Sequence, residues 1–103
     1  MTRAVFIDLA GVVYQGPALI PGAAEAIARL RAAGLAVRFL TNTTRTPRRE
    51  IVAQLAAMGV VLADEDLFTP ARSACDWLAA RGMTPHLLIH PALAEDFAEC
   101  PRE

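Results

Sequence analysis

Residues 4–11 read Ala-Val-Phe-Ile-Asp-Leu-Ala-Gly, and residues 36–44 read Ala-Val-Arg-Phe-Leu-Thr-Asn-Thr-Thr. Each begins with a short apolar run, the second interrupted by Arg38, and stops abruptly on polar residues. The continuous run at 4–7 predicts a strand buried on both faces of a parallel sheet, since alternation is lost when neither face meets water. The intervening Ala-Ala-Glu-Ala-Ile-Ala-Arg-Leu-Arg-Ala-Ala-Gly (23–34) sets Ala23, Ile27 and Leu30 on one helical face, with Gly34 to end the helix. Strand, helix, strand predicts a right-handed βαβ unit, whose ligands lie beyond the carboxyl ends of the strands. Asp8 and Thr41 are therefore expected at the same crevice.

The pattern repeats downstream. Thr46 and Pro47 predict a capped helix start, and Ile51, Leu55 and Met58 recur at helical spacing until Gly59. Leu67 and Phe68 offer a brief strand, after which Thr69-Pro70 opens a helix with Ala71, Ala74, Cys75 and Leu78 on one face and Gly82 at its end. Pro85–Ile89 reads as another strand, and His90-Pro91 as the start of a weak, frayed helix through Phe97. The Gly- and Pro-punctuated stretch 11–22 reads as a loop.

With 103 residues, 54% of them hydrophobic, the chain has the size of one small domain. A net charge of −1 with scattered basic residues argues against nucleic acid or an anionic membrane as partner. No stretch has the roughly 18 uncharged residues of a membrane span, and Asp8 interrupts the apolar N-terminus, so a soluble, cytoplasmic protein is expected. All ten basic residues are arginines, so a lysine Schiff base or a lysine–phosphate contact is beyond this chain. Cys75 and Cys100 have neither the number nor the spacing of a disulfide framework or zinc site, and read as reduced thiols. His86 and His90 flank a short strand and read as surface residues rather than ligands. Trp77 and Phe97 read as packing residues.

A carboxylate at a strand end, followed by Leu9-Ala10-Gly11, can attack phosphorus while a neighbouring backbone carbonyl helps hold Mg²⁺. Gly11 lets the backbone turn tightly toward a ligand. Thr41 can give its hydroxyl to a phosphoryl group, with the following backbone N–H groups as an anion nest. Alone, Asp8 reads first as a turn cap and Thr41 equally as a Ser/Thr turn. Their predicted placement at one sheet edge favours phosphate chemistry.

On these residues the sequence resembles the haloacid-dehalogenase superfamily, and within it the class IIA phosphatases similar to p-nitrophenyl phosphatase. VFIDLAGVVYQG looks like the first motif, PALIPGAAEAIARLRAAG like the helix after it, and FLTNTTRTPRREIVAQLAAMGV like the second motif with its helix. FTPARSACDWL and PHLLIHPALAEDF look like the approach to an inserted cap. The resemblance implies a three-layer α/β/α fold with a parallel sheet. It places the N-terminal part of that core at 1–83 and the start of a cap at 84–103. It implies Asp8 as the nucleophile that becomes an aspartyl-phosphate, the Ala10 carbonyl and Asp8 as Mg²⁺ ligands, and Thr41, Asn42 and Gly11 as substrate-binding residues. The substrate would be a small phosphorylated metabolite.

Ala10 stands where the family pattern has a general acid–base Asp, a group worth about 10²–10⁴ in rate. Phosphonate-cleaving branches carry Ala there but need a lysine, and phosphohistidine or pyrophosphate types carry Ser. The family's third motif, a lysine, and its fourth, strand-end acidic residues, follow the cap, so the chain is expected to be an N-terminal fragment. Asp64, Asp66, Asp76 and Asp96 read as solvated carboxylates rather than replacement metal ligands. Without later strands, the strand before Asp8 would present an unpaired edge, so a homo-oligomer or a completing chain is expected. A non-catalytic domain associating through that edge is the alternative. A receiver-like signalling domain fits less well, because its acceptor Asp lies on a later strand and its site uses a lysine.

Overall fold

The computed structural model describes residues 3–100. It is a mixed α/β fold built on a parallel sheet, as the sequence predicts. Strands β1 (Ala4–Asp8), β4 (Ala36–Leu40) and β5 (Leu67–Phe68) lie side by side in the order β1-β4-β5. Helix α1 (Ala23–Ala32) connects the first two strands and α2 (Arg48–Ala57) the second two. Both crossovers step in the same direction, and right-handed connections then lay both helices on one face. Burial agrees: Ile27 of α1 and Ile51 and Leu55 of α2 share one core with Val37 and Phe39 of β4, Leu9, Val13 and Leu67.

The opposite face is only partly covered among the described residues: Arg72 stacks on Phe68 at 4.5 Å and Asp66 pairs with Arg38 at 3.2 Å. Phe6 is 54% and Leu40 40% exposed there, and Phe6 leans onto Phe68 with ring centroids 5.6 Å apart. β1 consequently alternates between exposed and half-buried residues rather than being buried on both faces. The apolar run is right for a strand, but among the described residues Phe6 on its second face stays largely exposed.

Each helix stops where a glycine allows positive φ; at Gly82, φ is 61° and closes α3 (Pro70–Arg81). The Thr69 hydroxyl accepts the Arg72 N–H at 3.1 Å, with Pro70 in the first turn. The expected Thr46 cap is not formed: α2 is preceded by Pro47, and no local side chain caps it. The stretch read as a loop contains a small antiparallel pair, β2 (Tyr14–Gln15) with β3 (Ala18–Leu19). Residues 85–89 form no strand. They still alternate, with Leu87 and Ile89 packed on α3 beside Leu93 and Phe97, but they lack a hydrogen-bonding neighbour. Pro91–Phe97 is a 3₁₀ segment. Phe97 is buried as expected, whereas Trp77 is 50% exposed with Arg81 stacked on it at 4.1 Å. No helix among the described residues is long and apolar enough to cross a membrane.

Candidate functional site

The parallel register sets Asp8 beside Leu40 and Leu40 beside Phe68, so the two polar strand ends finish at one level. The pairing continues past both strands: the Leu9 N–H donates to the Leu40 carbonyl and the Thr41 N–H to the Phe68 carbonyl, each at 3.1 Å. Asp8, Ala10 and Gly11 thus stand next to Thr41 and Asn42 at the carboxyl edge of the sheet, where α/β folds bind ligands.

The turn after Asp8 is organised by one carbonyl. Leu9 O accepts N–H groups from Val12 at 3.1 Å, Val13 at 2.8 Å and Tyr14 at 3.3 Å, while the Leu9 and Val13 side chains are sealed in the core. Gly11 sits at φ 81°, a left-handed conformation that side-chain-bearing residues rarely adopt, and donates its N–H to Tyr14 O at 2.8 Å. Ala10 bridges to Tyr14 through the peptide groups on either side of it, so its own carbonyl is not consumed by the bridge.

Asp8 is exposed, and its Oδ1 accepts the Leu9 N–H at 2.9 Å. That N–H is shared with the Leu40 carbonyl, so it orients the carboxylate and leaves Oδ2 with no protein partner among the described residues. The half-buried Thr41 Oγ1 accepts the Thr43 N–H at 3.3 Å, so its own proton is free to be donated outward. The Thr43 Oγ1 accepts the Arg45 N–H at 3.4 Å. Two N–H groups of the expected anion nest are therefore turned onto hydroxyls; those of Asn42 and Thr44 remain. Asn42 is exposed.

Asp8 and the Ala10 carbonyl offer the hard oxygen ligands that Mg²⁺ prefers, and such ions commonly complete their shell with substrate phosphate and water. The chemistry fits a divalent ion, with a partial ligand set. Among the described residues no group of three or more His, Cys, Asp or Glu is gathered as a metal site. Asp66 instead pairs with Arg38 at 3.2 Å, and the exposed His86 takes no part in the site. His90 turns its Nδ1 back to the Ala92 N–H at 3.1 Å.

A feature invisible in the sequence stands behind the Thr41 loop. Asp96 Oδ2 accepts the Arg48 N–H at 2.9 Å, capping α2 from far along the chain. Next to it, Glu95 grips the Arg49 guanidinium with two bonds of 3.0 and 3.1 Å. The hydrogen-bonded guanidinium holds the Glu95 carboxyl below its ordinary value, and Arg49 is raised in return. From the sequence Asp96 reads as a solvated carboxylate; only folding shows which backbone amide it meets.

Comparison with known proteins agrees with this geometry. Residues 5–101 match the family model described as haloacid dehalogenase-like hydrolase. The chain is 40% identical over 99 residues to rat phospholysine phosphohistidine inorganic pyrophosphate phosphatase, covering 92% of this chain and 37% of that protein. It is 37% identical over 95 residues to rat haloacid dehalogenase-like hydrolase domain-containing protein 2, with the same coverage. The chain thus spans little more than a third of the length of these relatives. Among solved structures, it superposes on 4-nitrophenylphosphatase from Thermotoga maritima with a TM-score of 0.89 at 23% identity, covering 99% of this chain and 40% of that one. Glycerol phosphate phosphatase from Mycobacterium tuberculosis in complex with magnesium gives 0.80 at 28% identity, covering 98% and 31%. The chain belongs to the haloacid dehalogenase-like hydrolases.

Proposed function

We propose that the protein containing this chain is a divalent-metal-dependent phosphatase of small phosphorylated metabolites that works in the cytoplasm through a phosphoenzyme at Asp8. The observation that supports this most is the juxtaposition of the oriented Asp8 carboxylate and the outward-donating Thr41 hydroxyl on adjacent strand ends. Relatives named as phosphatases, one of them solved with magnesium and with calcium, point the same way.

In this reading Asp8 Oδ2 attacks phosphorus, forming a Asp8–phosphorus bond as the ester P–O bond breaks and the alcohol leaves. Thr41, with the amides of Asn42 and Thr44, binds the phosphoryl oxygens. Asn42 and the tight turn at Gly11 shape the space around the substrate. Asp8 and the Ala10 carbonyl would hold Mg²⁺, which supplies charge neutralisation at the phosphoryl group when bound. Because Ala10 cannot protonate the leaving group, that proton comes from water, and the reading favours substrates with good leaving groups. Water then cleaves the acyl phosphate, releasing phosphate and restoring Asp8. Residues 84–103 would begin the cap that selects the substrate.

The test is hydrolysis of 4-nitrophenyl phosphate by the full-length protein with Mg²⁺. Asp8→Asn should abolish turnover while leaving the fold intact by circular dichroism; equal turnover overturns the proposal.

The open β1 edge favours the alternative reading, a non-catalytic domain that associates through that edge. Phe6 and Leu40 are exposed on one face of the sheet, and among the described residues β1 carries unpaired backbone groups along its outer edge. The chain would associate there with a second copy or a completing chain. Sedimentation velocity showing a monomer at every concentration, with exchange-protected β1 amides, would remove this reading.

A further inference from the structure

We propose that Cys75 and Cys100 form a redox-responsive dithiol pair, whose oxidation by a small-molecule disulfide locks the C-terminal segment onto α3. These are the only two cysteines of the sequence, and folding brings both to one place. Both are half-buried and pack on the same apolar cluster of Ala71, Leu93 and Phe97. They also line one cavity of about 520 Å³ between α3 and the C-terminal segment. Cys75 Sγ lies 3.7 Å from the Asp96 carbonyl oxygen, and the Cys100 N–H donates to Phe97 O at 3.0 Å, so each thiol sits on backbone fixed by neighbouring contacts.

The exchange takes two balanced steps. Burial, aided by hydrogen bonding and charge repulsion from Cys100, pushes the Cys75 thiol up to about 11. A thiol held that high is scarcely ionised at neutral pH, so exchange at the pair is slow. One of the two thiols loses its proton and attacks one sulfur of a glutathione-type disulfide, releasing one small thiol and leaving a mixed disulfide. The other thiol then gives up its proton and attacks the protein-side sulfur of that mixed disulfide, releasing the second small thiol. Two protein S–H bonds are lost and one S–S bond forms; the two electrons reduce the small disulfide to two thiols.

The bond would do more than decorate the surface. The segment it ties down carries Glu95 and Asp96, which hold Arg49 and the first amide of α2. That helix starts directly behind the Thr41–Thr46 loop, so the redox state of the pair reaches the edge of the candidate site through one short segment.

The test treats the full chain with oxidised glutathione, quenches with acid and maps peptides by mass spectrometry. The expected result is a Cys75–Cys100 cross-linked peptide with the loss of two hydrogen masses, reversed by dithiothreitol, and an upward shift of the urea midpoint. In Cys75→Ser, Cys100 should stop at the glutathione adduct. Separate glutathione adducts on both cysteines of the folded wild-type chain, or untouched thiols, would overturn the pairing. A cross-link that leaves the urea midpoint unchanged would overturn the locking role.

Discussion

Asp96 offers a quantitative test of how the C-terminal segment supports the rest of the chain. Helix α2 has no local side-chain cap, and its Arg48 amide is satisfied by Asp96 Oδ2 at 2.9 Å. Replacing a capping oxygen by Ala costs about 1 kcal/mol. The carboxylate also stands at the positive end of the helix, where a charge contributes about 0.3–1 kcal/mol. Asp96→Ala should therefore destabilise the chain by about 1–2 kcal/mol. For a domain of this size that lowers Tm by roughly 4–16 °C, at 4–8 °C per kcal/mol. Asp96→Asn keeps an acceptor oxygen and loses only the charge, so it should cost about 0.3–1 kcal/mol. The assay is urea denaturation of the three proteins at equal m-value, together with hydrogen exchange at the Arg48 amide, which should quicken in Asp96→Ala alone. If Asn were as damaging as Ala, or if Arg48 exchange did not change, the cap would not be the source of the stability.

Three further outcomes are expected. In the full-length protein, Ala10→Asp should speed hydrolysis of alkyl phosphates by about 10²–10⁴ with little effect on 4-nitrophenyl phosphate, whose leaving group needs no proton; equal gains on both substrates would contradict the assignment of the missing acid. The Glu95 carboxyl is depressed in the folded state, so its pairing with Arg49 stabilises above the ordinary value of 4.5 and is lost as pH falls through the folded value. A Glu95→Gln chain should accordingly show a smaller loss of stability on acidification and less sensitivity to salt, read from urea midpoints between pH 6 and pH 3, on the order of the range where carboxylates titrate. Gly11→Ala meets no atom within 4 Å of the added Cβ but forces an alanine to φ 81°, so it should cost about 1–2 kcal/mol, measured by thermal unfolding.

What the sequence made legible was local. β1, β4 and β5 were visible because apolar runs ended abruptly at Asp8, Thr41 and Thr69. The glycines at 34, 59 and 82 punctuated the helices, and the site followed because parallel strands in crossover units must finish at one edge. What stayed hidden depended on contacts far apart in sequence. Thr46 had the right chemistry for a cap, but the helix took its cap from Asp96. Residues 85–89 had a strand's alternation without a neighbour to pair with, and the buried-looking β1 run gave no sign that Phe6 would stay largely exposed. The two cysteines read as ordinary thiols because their sequence separation says nothing about the cluster that gathers them.

The turn after Asp8 carries one more consequence. Its path is set by the Leu9 carbonyl and by two side chains anchored in the core, while the side chain at position 10 is exposed and contributes nothing to that path. The backbone that positions Asp8 is thereby insulated from the residue that would tune proton transfer in the proposed reaction. A lineage could exchange Asp, Ser or Ala at this single codon, and so move between reaction types, without rebuilding the scaffold around the site.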